Sequence, residues 1–306
     1  MRIRPLGTLP VATVLIPTHD HGALLGPALR SVQEQTVADL EIFVVGDGVP
    51  DVTRTLVAER VREDPRIRFF DNPKGARRGE LLRHAALAEA RGEIVCYQAD
   101  DDLWLPGHVE ELRRALVHAD FANTIALQVQ PGGWVFPWLA ALEAPVFRAT
   151  EEGGKNFLPL SVVGHTLAAY RALPEGWRTT PDGIFTDLWM WQQFLANPEL
   201  RLASSSCPTL LHFATPDRAD WTPEQRLAEL EQWSEYLGGD EWRDRTEPAF
   251  VASCADGVER LRRRLGPLTW LAGAARSRSR AGRVLRWAVY QLWLLEMRRA
   301  RIRVGP

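Results

Sequence analysis

Three consecutive carboxylates, Asp100, Asp101 and Asp102, follow an apolar run at residues 94–97. Such a run predicts a central strand of a parallel sheet. Open α/β sheets bind ligands beyond the carboxyl ends of their strands, so these side chains occupy a favourable place for a site. Adjacent carboxylates repel each other unless a cation is present, and Mg²⁺ or Mn²⁺ prefers oxygen ligands. One of the three could instead cap the helix that begins near Pro106, but a cap needs only one.

In the segment before these carboxylates, apolar runs typical of strands alternate with apolar residues at helical spacing. Runs typical of strands at residues 11–16, 41–45 and 66–70 alternate with helical patterns at residues 24–32, 52–62 and 81–90. This order predicts an α/β fold with a doubly wound, mostly parallel sheet.

Polar residues follow each of the predicted strands. They are Pro17, Thr18 and Asp20 after the first strand, Asp47 after the second, and Lys74, Arg77 and Arg78 after the third. Carboxylates and guanidinium groups at one sheet edge suit a nucleotide diphosphate with a cation. Each also has a simpler interpretation, since Asp47 precedes a turn glycine, Asp20 could cap a helix and the arginines could be solvated. The sequence has no Gly-x-Gly-x-x-Gly after the first strand and no Gly-Lys-Ser/Thr loop, which disfavours dinucleotide binding and a Walker-type ATPase.

Composition is that of an ordinary globular protein. The 306 residues are 45% hydrophobic and 25% charged, and the three cysteines lack the spacing of a zinc site or a disulfide framework. We therefore expect the protein to reside in a reducing cytoplasm. Residues 1–10 contain no apolar core, so no signal peptide is expected.

Four ordered motifs carry a resemblance to a known family. They are Val-Leu-Ile-Pro-Thr-His-Asp at 14–20, Ser-Val-Gln-Glu-Gln-Thr at 31–36, Glu-Ile-Phe-Val-Val-Gly-Asp-Gly at 41–48, and the stretch at 91–106 that contains the carboxylates. Residues 11–117 resemble the nucleotide-binding half of a family 2 glycosyltransferase with the GT-A fold. The family's usual Asp-x-Asp motif begins here with Ala99.

The resemblance implies roles for particular side chains. Those implied to bind the nucleotide are Pro17, Thr18, Asp20, Asp47, Arg77, Arg78 and Asp100. Those implied to hold Mn²⁺ or Mg²⁺ are Asp101, Asp102 and His212. The donor implied is a UDP- or dTDP-sugar, and the acceptor is a saccharide or another hydroxyl compound.

A catalytic base is expected near residues 182–191. An inverting transferase needs one carboxylate beside the acceptor hydroxyl to take its proton. The stretch from Asp187 resembles the start of the family's base-bearing helix, with Thr186 where Glu is usual. Asp187 is the first candidate and Asp182 the second, although Asp187 could serve only as a favourable charge at a helix N-terminus.

The C-terminal region is helical in pattern and basic. From Glu259 onward there are 13 Arg and 2 Glu. The pattern at residues 284–301 predicts an amphipathic helix that lies on an anionic membrane surface or packs on the enzyme or a partner subunit. Residues 275–282 are typical of a flexible basic linker. No nucleic-acid recognition motif is present.

The resemblance implies a metal-dependent inverting glycosyltransferase of polysaccharide biosynthesis. It would be cytoplasmic, with peripheral contact to the inner face of the membrane. Its predicted parts are a nucleotide-sugar-binding half at residues 1–120, an acceptor-binding half at 121–220 and a helical extension at 221–306. The alternatives are a non-catalytic nucleotide-sugar binder, a membrane-surface adaptor and a sugar nucleotidyltransferase. The last would need a basic glycine-rich loop after the first strand, which is absent.

Overall fold

A computed structural model describes residues 9–303, which form a mixed sheet surrounded by helices. Residues 1–8, where most of the segment examined for a signal peptide lies, are outside the described part of the chain. The strands are Ala12–Thr18 (β1), Leu40–Asp47 (β2), Ile67–Asn72 (β3), Ile94–Tyr97 (β4), Leu103–Trp104 (β5), Phe121–Gln130 (β6), Trp134–Trp138 (β7), Val163–Thr166 (β8), Leu202–His212 (β9) and Ile302–Arg303 (β10).

The helices lie between these strands and dominate the C-terminal third. They are Leu25–Gln33 (α1), Asp51–Glu63 (α2), Glu80–Ala88 (α3), His108–Leu116 (α4), Pro145–Glu152 (α5), Leu167–Arg171 (α6), Thr186–Leu195 (α7), Pro223–Leu237 (α8), Glu247–Leu265 (α9), Ala272–Arg276 (α10) and Arg280–Arg299 (α11). None of the helices within residues 9–303 is both long and apolar enough to cross a membrane.

The first half of the sheet is parallel, as the alternating pattern predicts. β3, β2, β1 and β4 lie side by side in that order, with Thr18 opposite Gly46 and Leu15 opposite Tyr97. Every residue of β2 is buried, because helices cover both faces of the sheet and leave no polar face. The carboxyl ends of these strands therefore meet at one edge.

The second half of the sheet is mixed and continues from the first. β8 pairs antiparallel with β4 and with β6, and β6 forms a hairpin with β7. The sequence pattern predicts two strands, at residues 200–206 and 208–213, whereas the structure has the single strand β9 there. It runs parallel to β6 and its register shifts opposite Pro208, which cannot donate a hydrogen bond to the ladder.

The C-terminal helices pack against the second half of the sheet. On α11, Trp293 is buried and its indole N–H donates to the carbonyl of Leu139 at 2.7 Å. Buried Glu296 accepts from Arg260 at 2.7 Å. The flexible linker expected at residues 275–282 is wrong in extent, because α10 ends at Arg276 and the hydroxyl of Ser279 caps α11.

Candidate active site

A cavity of about 470 Å³ opens at the carboxyl ends of the parallel strands. Predicted site residues that line it are Pro17, Thr18, Asp20, Asp47, Arg77, Arg78, Asp100, Asp101 and His212. The sheet explains this convergence, since Thr18 and Asp47 end the neighbouring strands β1 and β2 and Asp100 follows β4.

Asp47 is held by the loop that follows β3. The Lys74 ammonium donates to its Oδ2 at 2.7 Å and the Gly75 amide donates to its Oδ1 at 2.5 Å. Gly79 has a φ of 70°, and a Cβ there would lie 2.8 Å from the carboxyl carbon of Asp47. The loop can close over Asp47 because Gly79 has no side chain.

His21 and Asp100 form an ion pair at the mouth of the same cavity. The imidazole Nδ1 lies 2.7 Å from Oδ1 of Asp100. That hydrogen bond raises the pKa of His21 to about 9, although partial burial opposes the shift. The imidazole is therefore protonated at neutral pH and places a positive charge against the carboxylates.

Asp101, next in the chain, contacts the C-terminal region. Its Oδ2 accepts from Nη2 of Arg226 on α8 at 2.6 Å. Burial raises the pKa of Asp101 to about 6, with further contributions from Asp102 and Asp100. One ligand atom from each of His21, Asp100 and Asp101 falls within 4.8 Å of the others.

Asp102 is fully enclosed and already has protein donors on both oxygens. Oδ2 accepts from the Ser161 hydroxyl at 2.7 Å, and Oδ1 accepts from the Phe213 amide at 3.1 Å and lies 2.9 Å from Nδ1 of His212. Burial alone would raise the pKa of Asp102, but His212 and these hydrogen bonds hold it below the ordinary value. Asp102 thus orients His212 and leaves Nε2 as the ring nitrogen directed away from it.

These groups fit a divalent cation. Asp101 and His212 both line the cavity and offer a carboxylate oxygen and an imidazole nitrogen, which are acceptable donors for Mn²⁺. The raised pKa of Asp101 means that its charged form lacks full compensation, and a cation would supply it. Asp102 fits as the support of His212 more readily than as a ligand, because its oxygens are occupied.

Asp187 and Asp182 do not line this cavity. Asp187 lies in the first turn of α7, where Oδ1 accepts from Asn156 at 3.0 Å and from the Leu188 amide at 2.9 Å. Burial raises the pKa of Asp187. It interacts electrostatically with Arg83 and His212, both of which line the cavity. Asp182 is exposed on a loop and is paired with Arg77.

Sequence reasoning missed several side chains that shape the cavity. His21 directly follows the first motif, where alternation with His19 after the strand was a usable signal. Arg83 is buried beneath the cavity with its guanidinium 4.8 Å from the Trp177 ring, and it carried no signal beyond its helical position. Arg226 meets Asp101 across 125 residues, a contact that no local pattern predicts.

A larger cavity of about 990 Å³ lies between α8 and the turn of the β6–β7 hairpin. Its amide and charged side chains are three glutamines, Glu229, Glu241 and Arg303, and Glu229 is paired with Arg218. The smaller cavity is the better candidate because the strand-end carboxylates converge only there among the cavities of the described chain.

Comparison with known proteins identifies the family. The model of Glycosyl transferase family 2 matches residues 13–172, more than half of the chain. The chain belongs to glycosyltransferase family 2. A Campylobacter jejuni protein named GalNAc(5)-diNAcBac-PP-undecaprenol beta-1,3-glucosyltransferase is 34% identical over 104 residues, 34% of each chain. The chondroitin synthase of Pasteurella multocida is 28% identical over 102 residues, 33% of this chain and 10% of that one. The matched stretch thus spans at most about a third of these two family members.

Two solved structures share the architecture over nearly the whole length. TarS of S. aureus superposes with a TM-score of 0.50 at 14% identity, over 92% of this chain and 91% of that one. The mannosyltransferase PcManGT of Pyrobaculum calidifontis, solved with GDP-Man and Mn²⁺, also gives 0.50, at 16% identity over 95% of this chain and 87% of that one. These likenesses confirm the predicted GT-A-type α/β fold of this family 2 member with its helical C-terminal region.

Proposed function

We propose that this chain transfers a sugar from a nucleotide diphosphate donor to an acceptor hydroxyl with inversion at the anomeric carbon. The observation that carries the proposal is the cavity at the strand ends, which Asp47, Asp100 and Asp101 line together with Lys74 and three arginines. Family membership supports the same class of reaction. We infer a UDP- or dTDP-sugar because Asp47 lines the cavity and matches the acidic residue that hydrogen-bonds a uracil-type base in the family.

The donor would lie along the strand edge. Its base and ribose would contact Pro17, Thr18 and Asp47, and its diphosphate would lie toward Asp101 and His212. Asp101 and His212 would hold Mn²⁺ or Mg²⁺, with Asp102 orienting His212. When bound, the cation would neutralise charge on the leaving diphosphate.

The proton of the acceptor would go to Asp187. As the acceptor oxygen attacks the anomeric carbon, the bond from that carbon to the diphosphate oxygen breaks and Asp187 accepts the hydroxyl proton. Burial raises the pKa of Asp187 and so makes it a stronger base than an exposed aspartate. Asp182 remains the second candidate, but it is exposed and paired with Arg77.

We further propose that the protein works in the cytoplasm at an anionic membrane surface. Trp270 and Trp287 are 77% and 60% exposed, and Val284 on α11 is 58% exposed. Residues 266–295 contain five Arg and no acidic residue. The Campylobacter jejuni relative is named for an acceptor that ends in PP-undecaprenol, which supports a lipid-linked acceptor as the first class to test. The division of the chain at residues 120 and 220 stays a prediction.

The test is calorimetric titration of UDP into the full chain with and without Mn²⁺. Wild type should bind UDP more tightly with Mn²⁺, and Asp101→Ala should lose that increase. Asp240→Ala is the matched control, because Asp240 is exposed and remote from the cavity residues in the sequence. If UDP fails to bind but dTDP or GDP binds, the base assignment is wrong. If no nucleotide binds to folded protein, the proposal fails.

A further inference from the structure

A further pocket of about 300 Å³ lies beside the first turns of α7, the helix that carries the predicted base. Its wall includes three arginines, Arg276, Arg278 and Arg286, against one carboxylate, that of Glu152. Arg276 binds Glu152 through two nitrogens, at 2.5 and 3.2 Å, and so neutralises it. The positive charges of Arg278 and Arg286 remain without an acidic partner among residues 9–303.

The pocket holds one guanidinium rigidly and leaves one free. Nη1 of Arg286 donates to the carbonyls of Ala275 and Ser277 at 2.6 and 2.7 Å, which fixes the side chain against Gly153. A Cβ at Gly153 would lie 2.5 Å from Cδ of Arg286, so this approach requires glycine. The side chain of Arg278 is exposed, and no hydrogen-bond or ionic partner for it occurs within residues 9–303.

Asp187 does not itself line the pocket, but its neighbour in α7, Leu188, does. Gly154, which also lines it, lies two residues before Asn156, whose amide donates to Asp187 at 3.0 Å. A ligand held by the arginines would therefore have its neighbouring groups close to the carboxylate that we propose takes the acceptor proton.

Apolar side chains line the pocket near the start of α7. Phe185 is 65% exposed, and Ile184 and Trp189 line the pocket with it. Anionic groups next to an apolar chain would match this combination of guanidinium groups and exposed apolar surface.

We propose that this pocket binds the phosphate or diphosphate group of a phosphorylated acceptor and presents that acceptor to Asp187. The inference rests on the proposed transferase function and adds the acceptor class and its site. The phosphate could belong to a lipid-linked acceptor or to a water-soluble one, and both present the same anion to Arg278 and Arg286.

The test is calorimetric titration of inorganic pyrophosphate and of geranyl diphosphate into the full chain in EDTA. Arg278→Gln should weaken both ligands by roughly tenfold, since a charge-assisted contact is lost. Arg280→Gln is the matched control, because Arg280 is exposed two residues away and does not line the pocket. It should change both affinities by less than about twofold. UDP titrations of the same proteins should be unchanged and serve as the folding check.

The ligands separate the two sources of phosphate. Tighter binding of geranyl diphosphate than of pyrophosphate, with the gain lost in Phe185→Ala, identifies a lipid-linked acceptor. Equal binding identifies a water-soluble acceptor. The inference is overturned if wild type binds neither ligand or if Arg278→Gln binds both as wild type does. UDP binding without phosphate binding refutes only this inference, whereas failure of UDP, dTDP and GDP alike to bind refutes the proposed function.

Discussion

Three adjacent aspartates acquire different chemistry from their partners. Asp100 pairs with His21, Asp101 with Arg226, and Asp102 with Ser161 and His212. Only Asp102 is saturated by protein donors on both oxygens, so it is the least available to a ligand. At the residue scale, the number and kind of hydrogen-bond donors therefore distinguish a binding carboxylate from a supporting one.

Removal of the Asp187 carboxylate should abolish proton acceptance without affecting the donor site. We expect Asp187→Asn to lower kcat by roughly 10²- to 10⁴-fold, the usual contribution of a general base. UDP affinity should not change. In the wild type, kcat should fall with decreasing pH at a higher pH than for an ordinary aspartate, because burial raises the pKa of Asp187 and only the charged form is a base.

The matched control is Asp182→Asn in the same steady-state assay with a UDP-sugar and a competent acceptor. Asp182 is exposed on a loop and does not belong to α7, so its variant should keep kcat within a few-fold of wild type. A full loss of activity in this variant, with Asp187→Asn active, would assign the base to Asp182 instead.

A buried neutral histidine should make the protein sensitive to acid. His108 is fully buried, its ring stacks on Trp104 at 4.0 Å, and burial lowers its pKa to about 3. The unfolded chain takes up this proton near pH 6.5 and the folded chain does not, so stability is lost as pH falls from 6.5 toward 3. Between pH 7 and pH 5 the burial of this histidine should lower the free energy of unfolding by about 2 kcal/mol.

Urea titrations at pH 7 and pH 5 measure this effect. His108→Asn should show a smaller loss of unfolding free energy over that interval than wild type, by the same amount. His118→Asn, which removes an exposed histidine two residues after α4, should keep the wild-type dependence. If all three proteins lose stability equally, His108 does not contribute to the acid sensitivity.

At the scale of elements, the backbone passes closely at the entry to β4. Gly92 precedes this strand and is buried against β1, where an added Cβ would lie 2.2 Å from the Thr13 nitrogen and 2.5 Å from the Ala12 carbonyl carbon. Backbone atoms cannot move aside as a side chain can. Gly92→Ala should therefore lower the unfolding free energy by more than about 3 kcal/mol.

Gly107→Ala provides the comparison in the same denaturation measurement. No atom lies within 4 Å of a Cβ added at Gly107, which precedes α4. Gly107→Ala should lower the free energy of unfolding by less than about 1 kcal/mol, which is the usual effect of a poorer N-cap residue. Equal stability of Gly92→Ala and Gly107→Ala would contradict the close approach of β4 and β1.

Elements with a regular hydrophobic period were predictable from the sequence. β1 to β4 and α1 to α3 were expected within a few residues of their bounds, because their burial repeats along the chain. The sequence predicts two strands in place of β9, because Pro208 is typical of a strand break. In the structure β9 continues through Pro208 because it pairs with β6 on both sides of that residue. The length of the linker at residues 275–282 was overestimated because arginine and serine are typical of solvated segments. In the structure Ser279 caps α11, which begins at Arg280.

The candidate site was predictable where its residues follow strands. Asp47, Asp100 and Asp101 were found in this way, and parallel topology brings them to one cavity. Arg226 was not, because it approaches Asp101 only when α8 packs across the sheet edge. Its contact depends on tertiary packing, which leaves no period or motif in the sequence.

At the scale of the whole molecule, positive charge is concentrated on the C-terminal helices. We expect the protein to cosediment with phosphatidylglycerol vesicles and not with phosphatidylcholine vesicles. Binding should be lost in 1 M salt, where the screening length is about 3 Å. The double variant Arg280→Gln, Arg283→Gln should bind at least roughly tenfold more weakly, since each arginine near the surface contributes about 1 kcal/mol.

Arg60→Gln with Arg62→Gln is the charge-matched control. These residues lie on α2, which packs against the first half of the sheet and is not one of the C-terminal helices. The control should retain wild-type vesicle binding. Equal binding of both double variants would contradict a membrane surface formed by α11 and would favour packing of its exposed face on a partner subunit.

The central claim is that a nucleotide donor and a cation share the cavity at the strand ends. The most direct measurement is a crystal structure with UDP and Mn²⁺, with the cation located by its anomalous scattering. We predict one manganese peak within coordination distance of Asp101 and of Nε2 of His212, with the uracil ring beside Asp47. Nucleotide in the larger cavity beside α8, or UDP bound with no manganese at Asp101, would contradict the account.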